Sequence, residues 1–314
     1  MDQTPAERDK LAIKIGGLTM RTDTNTKVYE VSSHVDTYLV YELIDRATDS
    51  KVTISPERGG IVIGCRLHGE ELLYLDRATY LDPSANIRGG IPILFPICGQ
   101  LADGAYEWDG QTYRMRNHGV ARTAAWEVVN AYADQGEAAL TLALHSSSET
   151  LASYPFEFEL HFTYRLKDGK LCIEQSYNNL SERDMPVQAG FHPYFALSDK
   201  KLHYTSDATK LLDYNDGEIK PFQGTVDLGD LVESVALLDP KTPEISFPSP
   251  AGRTVKLGYS DVFGVVVLWS VQGKPFVCVE PWTALNEALN RKEGLILVPP
   301  GDSLDADFTI AVEG

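Results

Sequence analysis

Glu157-Phe158-Glu159-Leu160-His161-Phe162-Thr163-Tyr164 alternates without a break. Phe158, Leu160, Phe162 and Tyr164 fall on one face; Glu157, Glu159, His161 and Thr163 fall on the other. That is the two-residue period of a strand with one face buried. Leu140, Leu142 and Leu144 repeat the pattern upstream. Downstream, Lys167-Asp168-Gly169-Lys170 is a turn signal, and Leu171-Cys172-Ile173-Glu174-Gln175-Ser176-Tyr177 resumes a strand. An antiparallel hairpin is therefore expected here.

The same grammar extends in both directions. Val52–Ile54 and Ile61–Leu67 flank Arg58-Gly59-Gly60, and Phe263–Trp269 is a continuous apolar run that fits a strand covered on both faces. Helical signals are short: one or two turns at Asp76–Tyr80 and again at Ala284–Asn290. Seventeen prolines and 25 glycines punctuate the chain at strand-and-turn intervals. No repeat, low-complexity tract or linker interrupts the pattern. The reading is all-β: one antiparallel β-sandwich with few short helices, spanning residues 31–314 behind an N-terminal extension of residues 1–30.

The 314 residues suffice for one large domain or two ordinary ones, and 43% hydrophobic with 23% charged residues supports a sizeable core. A net charge of −17 argues against non-specific contact with nucleic acid or an anionic membrane. Cys65, Cys98, Cys172 and Cys278 each lie in or beside apolar runs without CxxC spacing, so buried reduced thiols are expected. Met1–Lys10 is polar and has no apolar signal core, and no run reaches the ~18 residues of a membrane helix. A cytoplasmic monomer or weak homodimer is the expectation.

Two segments carry candidate chemistry. Gly190-Phe191-His192-Pro193-Tyr194-Phe195 sets an imidazole among aromatics, and Val277-Cys278-Val279-Glu280-Pro281-Trp282 sets a carboxylate in an apolar strand. Val277 and Val279 project to one side of that strand; Phe276, Cys278 and Glu280 project to the other. A buried carboxylate is costly without a partner, so Glu280 either reaches solvent at the strand end or serves a site. His192 is equally readable as a satisfied core histidine. His118, before Gly119, and Arg88, before Gly89-Gly90, read as a loop histidine and a surface arginine or as site residues. His34, His68, His145, His161 and His203 have no partner pattern. HExxH, P-loop, dinucleotide and GxSxG signatures are absent, as is any metal-spaced cluster, so acid–base groups stand without an evident cofactor or metal.

Five stretches together resemble the aldose 1-epimerase (galactose mutarotase-like) superfamily, most of all its glucose-6-phosphate 1-epimerase branch. They are Ile87-Arg88-Gly89-Gly90-Ile91-Pro92-Ile93-Leu94-Phe95-Pro96, Asn117-His118-Gly119-Val120-Ala121-Arg122 with Trp126-Glu127, the His192 segment, the Glu280 segment, and Val298-Pro299-Pro300-Gly301-Asp302-Ser303-Leu304. They occur in family order and span about Val52 to the C-terminus. The resemblance implies a single-domain β-supersandwich with a sugar in a cleft on one sheet. It implies Glu280 as general base, His192 as general acid, and His118 and Arg88 as substrate-binding residues. It also implies an acidic residue for the sugar hydroxyls between His192 and Glu280, with Asp227 and Asp230 as candidates. The implied reaction is anomer interconversion of an aldohexose or hexose 6-phosphate, without cofactor. Arg58, Arg66, Arg88 and Arg122 are available to a phosphate.

A carbohydrate-binding or regulatory protein on the same sandwich is the alternative, although binding alone needs no acid–base pair. Glycoside hydrolysis ordinarily needs two carboxylates flanking the bond, and only Glu280 is placed by motif.

Overall fold

The computed structural model describes residues 28–314. All but three of the expected N-terminal extension's residues lie outside that range, and the first strand, Tyr29–Val35, begins two residues before the expected boundary.

The hairpin read from Glu157–Tyr164 lies at the centre of the first of two major sheets. Phe158–Lys167 pairs antiparallel with Lys170–Asn179, register Phe158 to Asn179 through Lys167 to Lys170. Ala138–His145 and Glu127–Ala133 extend the sheet on one side. Ser303–Glu313, Thr254–Tyr259 and Glu244–Pro248 extend it on the other, giving seven strands. Phe158, Leu160, Phe162 and Tyr164 are buried as the alternation required. A five-stranded meander, Tyr29 to Glu71, carries the strands expected at Val52–Ile54 and Ile61–Leu67.

The second major sheet has eight antiparallel strands. At its middle, Val265–Trp269 pairs with Val277–Trp282, which in turn pairs with Gly190–Phe191 and Tyr194–Phe195. Alternation along these strands separates two environments. Val266, Leu268, Val277, Val279 and Phe191 enter the main core against the seven-stranded sheet. The Phe191 ring lies on that of Phe308, with centroids 4.8 Å apart. Each aliphatic side chain so buried contributes about 1.5–3 kcal/mol. Val265, Val267, Cys278, Glu280 and Trp282 face the opposite way and are nevertheless buried. Of the expected Phe263–Trp269 run, Val265–Trp269 forms the strand, with Val265–Leu268 buried on both faces, while Gly264 is exposed.

The helices are short. Arg77–Leu81 is capped by the Asp76 carboxylate, which accepts from the N–H groups of Ala78 and Thr79. Ala288–Arg291 supplies the second expected turn. Ser148–Ser153 was not expected; its signal is the capping box of Ser147 and Thr150. The cysteines are free thiols, three buried and Cys172 partly so. Among the described residues no helix is long and apolar enough to cross a membrane.

Candidate active site

The outward face of the eight-stranded sheet forms the floor of an open cleft of about 220 Å³. His192, Glu280, His118 and Arg88 all line it. The two segments that stood 88 positions apart in the chain meet because both are strands of this sheet, on either side of the Gly190–Trp282 pair.

Phe191 turns into the core, so the next residue, His192, turns into the cleft. Its backbone N–H donates to the Pro92 carbonyl at 3.0 Å, and that of Tyr194 donates to Gly90 at 2.9 Å. Gly190 cannot carry a side chain: a Cβ would lie 2.8 Å from Cys98 Sγ and 2.9 Å from the Trp282 ring. The His192 ring stacks on Tyr194, centroids 4.7 Å apart and planes at 8°, and meets Trp269 edge-on at 5.7 Å. These contacts fix the imidazole with Nδ1 3.5 Å from Glu280 Oε1.

Both groups are almost fully covered, with 5% and 1% of their surface exposed. Burial pushes the Glu280 carboxyl well above its ordinary range. Burial, reinforced by His118, Arg122 and Arg88, pushes the His192 imidazole well below its own. With no substrate, the favoured form of the pair is therefore carboxylic acid beside neutral imidazole. Among the described residues, His192 Nδ1 and Glu280 Oε2 have no hydrogen-bond partner.

His118 reaches the cleft from a strained turn. Its φ is +66°, left-handed backbone that few non-glycine residues adopt. A Cβ on the following Gly119 would meet the Phe95 carbonyl at 2.2 Å. The His118 N–H donates to the Gly99 carbonyl at 2.7 Å, and the Gly99 N–H donates back to His118 Nδ1 at 3.0 Å. Burial lowers its pKa well below the usual value, with Arg122 and Arg88 adding to the effect. Arg88 lies over the Trp269 ring with Cζ 5.3 Å from the centroid.

Of the four arginines expected to be available to a phosphate, two reach the cleft, Arg88 and Arg122. Neither forms a salt bridge among the described residues. Arg58 is buried beneath the short helix, donating to the carbonyls of Tyr80 and Asp82 at 3.1 and 2.8 Å. Arg66 pairs with Asp49 on the surface.

The acidic candidates were misplaced. Neither Asp227 nor Asp230 lines the cleft; Glu233 does, with Ser234 beside it. Asp227 ends an exposed edge strand and accepts from the Gly229 N–H in its own turn. Glu233 is brought in by Asn215, whose Oδ1 accepts from the Val232 and Glu233 N–H groups at 3.0 and 2.9 Å. Its Nδ2 donates to the Glu233 carbonyl at 3.1 Å and to Asp213 Oδ1 at 2.8 Å. Asn86, Gln100, Asn117 and Asn286, also missed, complete a polar rim from separate loops. Asn117 sits in the quoted His118 stretch; no local motif marks Asn86, Gln100 or Asn286.

The arrangement can move a proton onto one atom of a small polyol and off another, between hydrogen-bonding walls and an aromatic floor. It also gathers the metal-capable donors His192, Cys278 and Glu280 within 4.8 Å of one another, a cluster that linear spacing could not reveal.

Comparison with known proteins bears on the fold and the family. A family model described as aldose 1-epimerase matches residues 40–311. The crystal structure of the Slr1438 protein from Synechocystis sp. PCC 6803 superimposes with a TM-score of 0.85 at 36% identity, covering 91% of this chain and 99% of that one. The chain is 28% identical to LacX (chromosomal) of Lactococcus lactis subsp. lactis over 67% of its own length and 78% of LacX. It is 29% identical, over 41% of its length and 40% of the other's, to an Escherichia coli K12 protein provisionally named glucose-6-phosphate 1-epimerase.

Proposed function

The chain belongs to the aldose 1-epimerase family, and on that premise we propose that it interconverts the α and β anomers of an aldohexose or hexose 6-phosphate by acid–base opening of the ring. Residues 31–314 act as one domain around the cleft. The observation that carries the reading is the 3.5 Å approach of His192 Nδ1 to Glu280 Oε1 in the cleft that also holds His118 and Arg88.

Glu280 takes the proton of the anomeric hydroxyl while His192 gives one to the ring oxygen. The C1–O5 bond breaks, the C1–O1 bond becomes a carbonyl, and an open-chain aldehyde is left with Glu280 protonated and His192 neutral. Rotation about C1–C2 presents the other carbonyl face, and reversal of both transfers closes the ring. Burial favours the neutral pair, which is the protonation state of the ring-opened intermediate. The charged, reactive pair is one proton away from it, across the 3.5 Å gap.

His118 acts as a neutral donor toward the sugar oxygens. Glu233, Asn117 and Asn286 hold hydroxyls, and Trp282 offers an aromatic face to the ring. A cavity of about 220 Å³ is smaller than the ~300–1,000 Å³ of drug-sized sites and suits one sugar ring. Arg88 and Arg122, free of carboxylates, suit a 6-phosphate despite the net charge of −17. A binding or regulatory protein would have no use for an acid and a base in van der Waals reach of each other.

NMR exchange between anomers tests the reading with glucose, galactose and their 6-phosphates. Exchange well above the buffer rate for at least one of them is expected. Sugar binding with no acceleration would instead select the binding protein.

A further inference from the structure

We propose that the buried cluster at the floor of the cleft binds a thiophilic divalent cation of the zinc or cadmium class through His192 Nδ1, Cys278 Sγ and a Glu280 carboxylate oxygen, and that occupancy arrests the enzyme. Cys278 and Glu280 are two residues apart on one strand, so they share one face of it; Glu280 and His192 line the cleft, and Cys278 lies buried beside them. All three are buried, and their donor atoms lie within 4.8 Å of one another.

A second, independent observation concerns unused bonding capacity. Buried polar groups ordinarily find a partner, yet among the described residues His192 Nδ1 and Glu280 Oε2 have none of hydrogen-bond geometry, and the Trp282 indole N–H that acts on the carboxylate is likewise unbonded. The first therefore has a free lone pair whenever its proton is on Nε2. The Nδ1–Oε1 separation of 3.5 Å is close to the edge of a zinc tetrahedron, about 3.4 Å from Zn–N and Zn–O bonds of about 2.0–2.2 Å. Cys278 Sγ lies within 4.8 Å of both, in reach as a third ligand. His192 and Glu280 line the cleft, from which water or a sugar hydroxyl would supply a fourth. Thiolate with imidazole selects zinc-like ions over magnesium and calcium, which take oxygen donors.

Binding is proton exchange without redox change. The thiol proton of Cys278 and the carboxyl proton of Glu280 leave to solvent, two anionic ligands face the dication, and imidazole contributes a neutral lone pair. The acid and the base of the proposed reaction are then both engaged. The inhibitory consequence rests on the epimerase reading; the site itself does not.

Cobalt(II) is the probe that separates the two. Titrating the full chain with cobalt should produce a near-ultraviolet thiolate-to-cobalt charge-transfer band that saturates at one equivalent. The band should vanish in Cys278→Ala and persist in Cys172→Ser, which removes the partly exposed thiol. In the anomer-exchange assay, micromolar zinc should slow the wild type and a chelator should restore it. Cys278→Ala should keep basal turnover and need at least ~10-fold more zinc. Should Cys278→Ala not fold, Cys278→Ser takes its place. A missing band, or one surviving the loss of Cys278, overturns the site. A normal band with zinc-insensitive turnover overturns the inhibition. If the chain proves not to be an epimerase, the cobalt titration still decides the site.

Discussion

The backbone N–H of Gly99 donates to Nδ1 of His118 at 3.0 Å. That bond dictates the tautomer. An acceptor at Nδ1 carries no proton, so the proton of the neutral ring sits on Nε2. Protonating His118 would set two N–H groups against each other, and burial with Arg122 and Arg88 already opposes it. His118 is thereby held as a neutral donor, which leaves the proposed acid role to His192.

Heteronuclear NMR of the histidine rings should accordingly find His118 as the neutral Nε2–H tautomer at pH 6, below the ordinary histidine value of about 6.5. Gly99→Ala should weaken the lock. Gly99 has φ +71°, and its Cβ would lie 1.6 Å from Asn286 Oδ1. A stability loss of about 1–3 kcal/mol and clearly reduced turnover are expected, and wild-type behaviour in that variant would contradict the lock.

Glu280→Gln and His192→Asn should each lower turnover by ~10²-fold or more, since each removes one proton-transfer partner. Circular dichroism should remain native, because both replacements keep the buried shape. Polarimetry of freshly dissolved α-sugar gives the rate, and near-normal turnover in both variants would sink the assignment.

Glu280→Gln should also stabilise the fold, in a pH-dependent way. The Glu280 pKa is raised in the fold by burial, so its contribution is fully present below its unfolded value, about 4.3, and is lost as pH rises through its folded value. His192 and His118 are lowered; their contribution is present above about 6.5 and is lost as pH falls toward their folded values. Glutamine stays neutral throughout. At pH 8 the variant should therefore be the more stable by about 0.5–2 kcal/mol, the usual yield of relieving a functional strain. Near pH 4 that advantage should disappear. Thermal melts at the two pH values check it, and an unchanged difference between them refutes the burial argument.

Asn215→Ala should raise KM by more than it lowers kcat. Asn215 is not itself part of the cleft lining, but it holds the N–H groups of Val232 and Glu233 and is itself held by Asp213, which Lys220 pairs at 2.5 Å. Losing it frees the rim carboxylate while leaving His192 and Glu280 in place. A loss of about 3- to 10-fold in kcat/KM, close to the 0.5–1.5 kcal/mol of a typical hydrogen bond, is expected from steady-state kinetics. A fall in kcat at constant KM would assign Asn215 to something other than placing Glu233.

The floor of this site was legible because strands write themselves in a two-residue code. Val277 and Val279 against Cys278 and Glu280, and Phe191 against His192, give inside and outside by parity alone. The rim was not legible. Glu233, Asn86 and Asn286 arrive on loops whose course depends on side-chain bonds such as those of Asn215, and no periodicity records that. Asp227 and Asp230 stand as candidates and Glu233 does not for the same reason: parity does not operate in a turn. Arg58 and Arg66 were attractive as charges, yet one is consumed by carbonyls under a helix and the other by Asp49. Sequence counts cations but not their prior commitments.

All six residues of Val277–Trp282 are buried, Val277 and Val279 in the main core, Glu280 and Trp282 along the cleft. No position on that strand is free to drift: a change at Val279 is felt by Glu280, and a change at Glu280 is felt by the fold. The rim residues come from independent loops and carry no such double duty. Sugar preference can therefore diverge between descendants of this chain through the loops alone, while the reaction they perform stays anchored to a strand that selection on folding already protects.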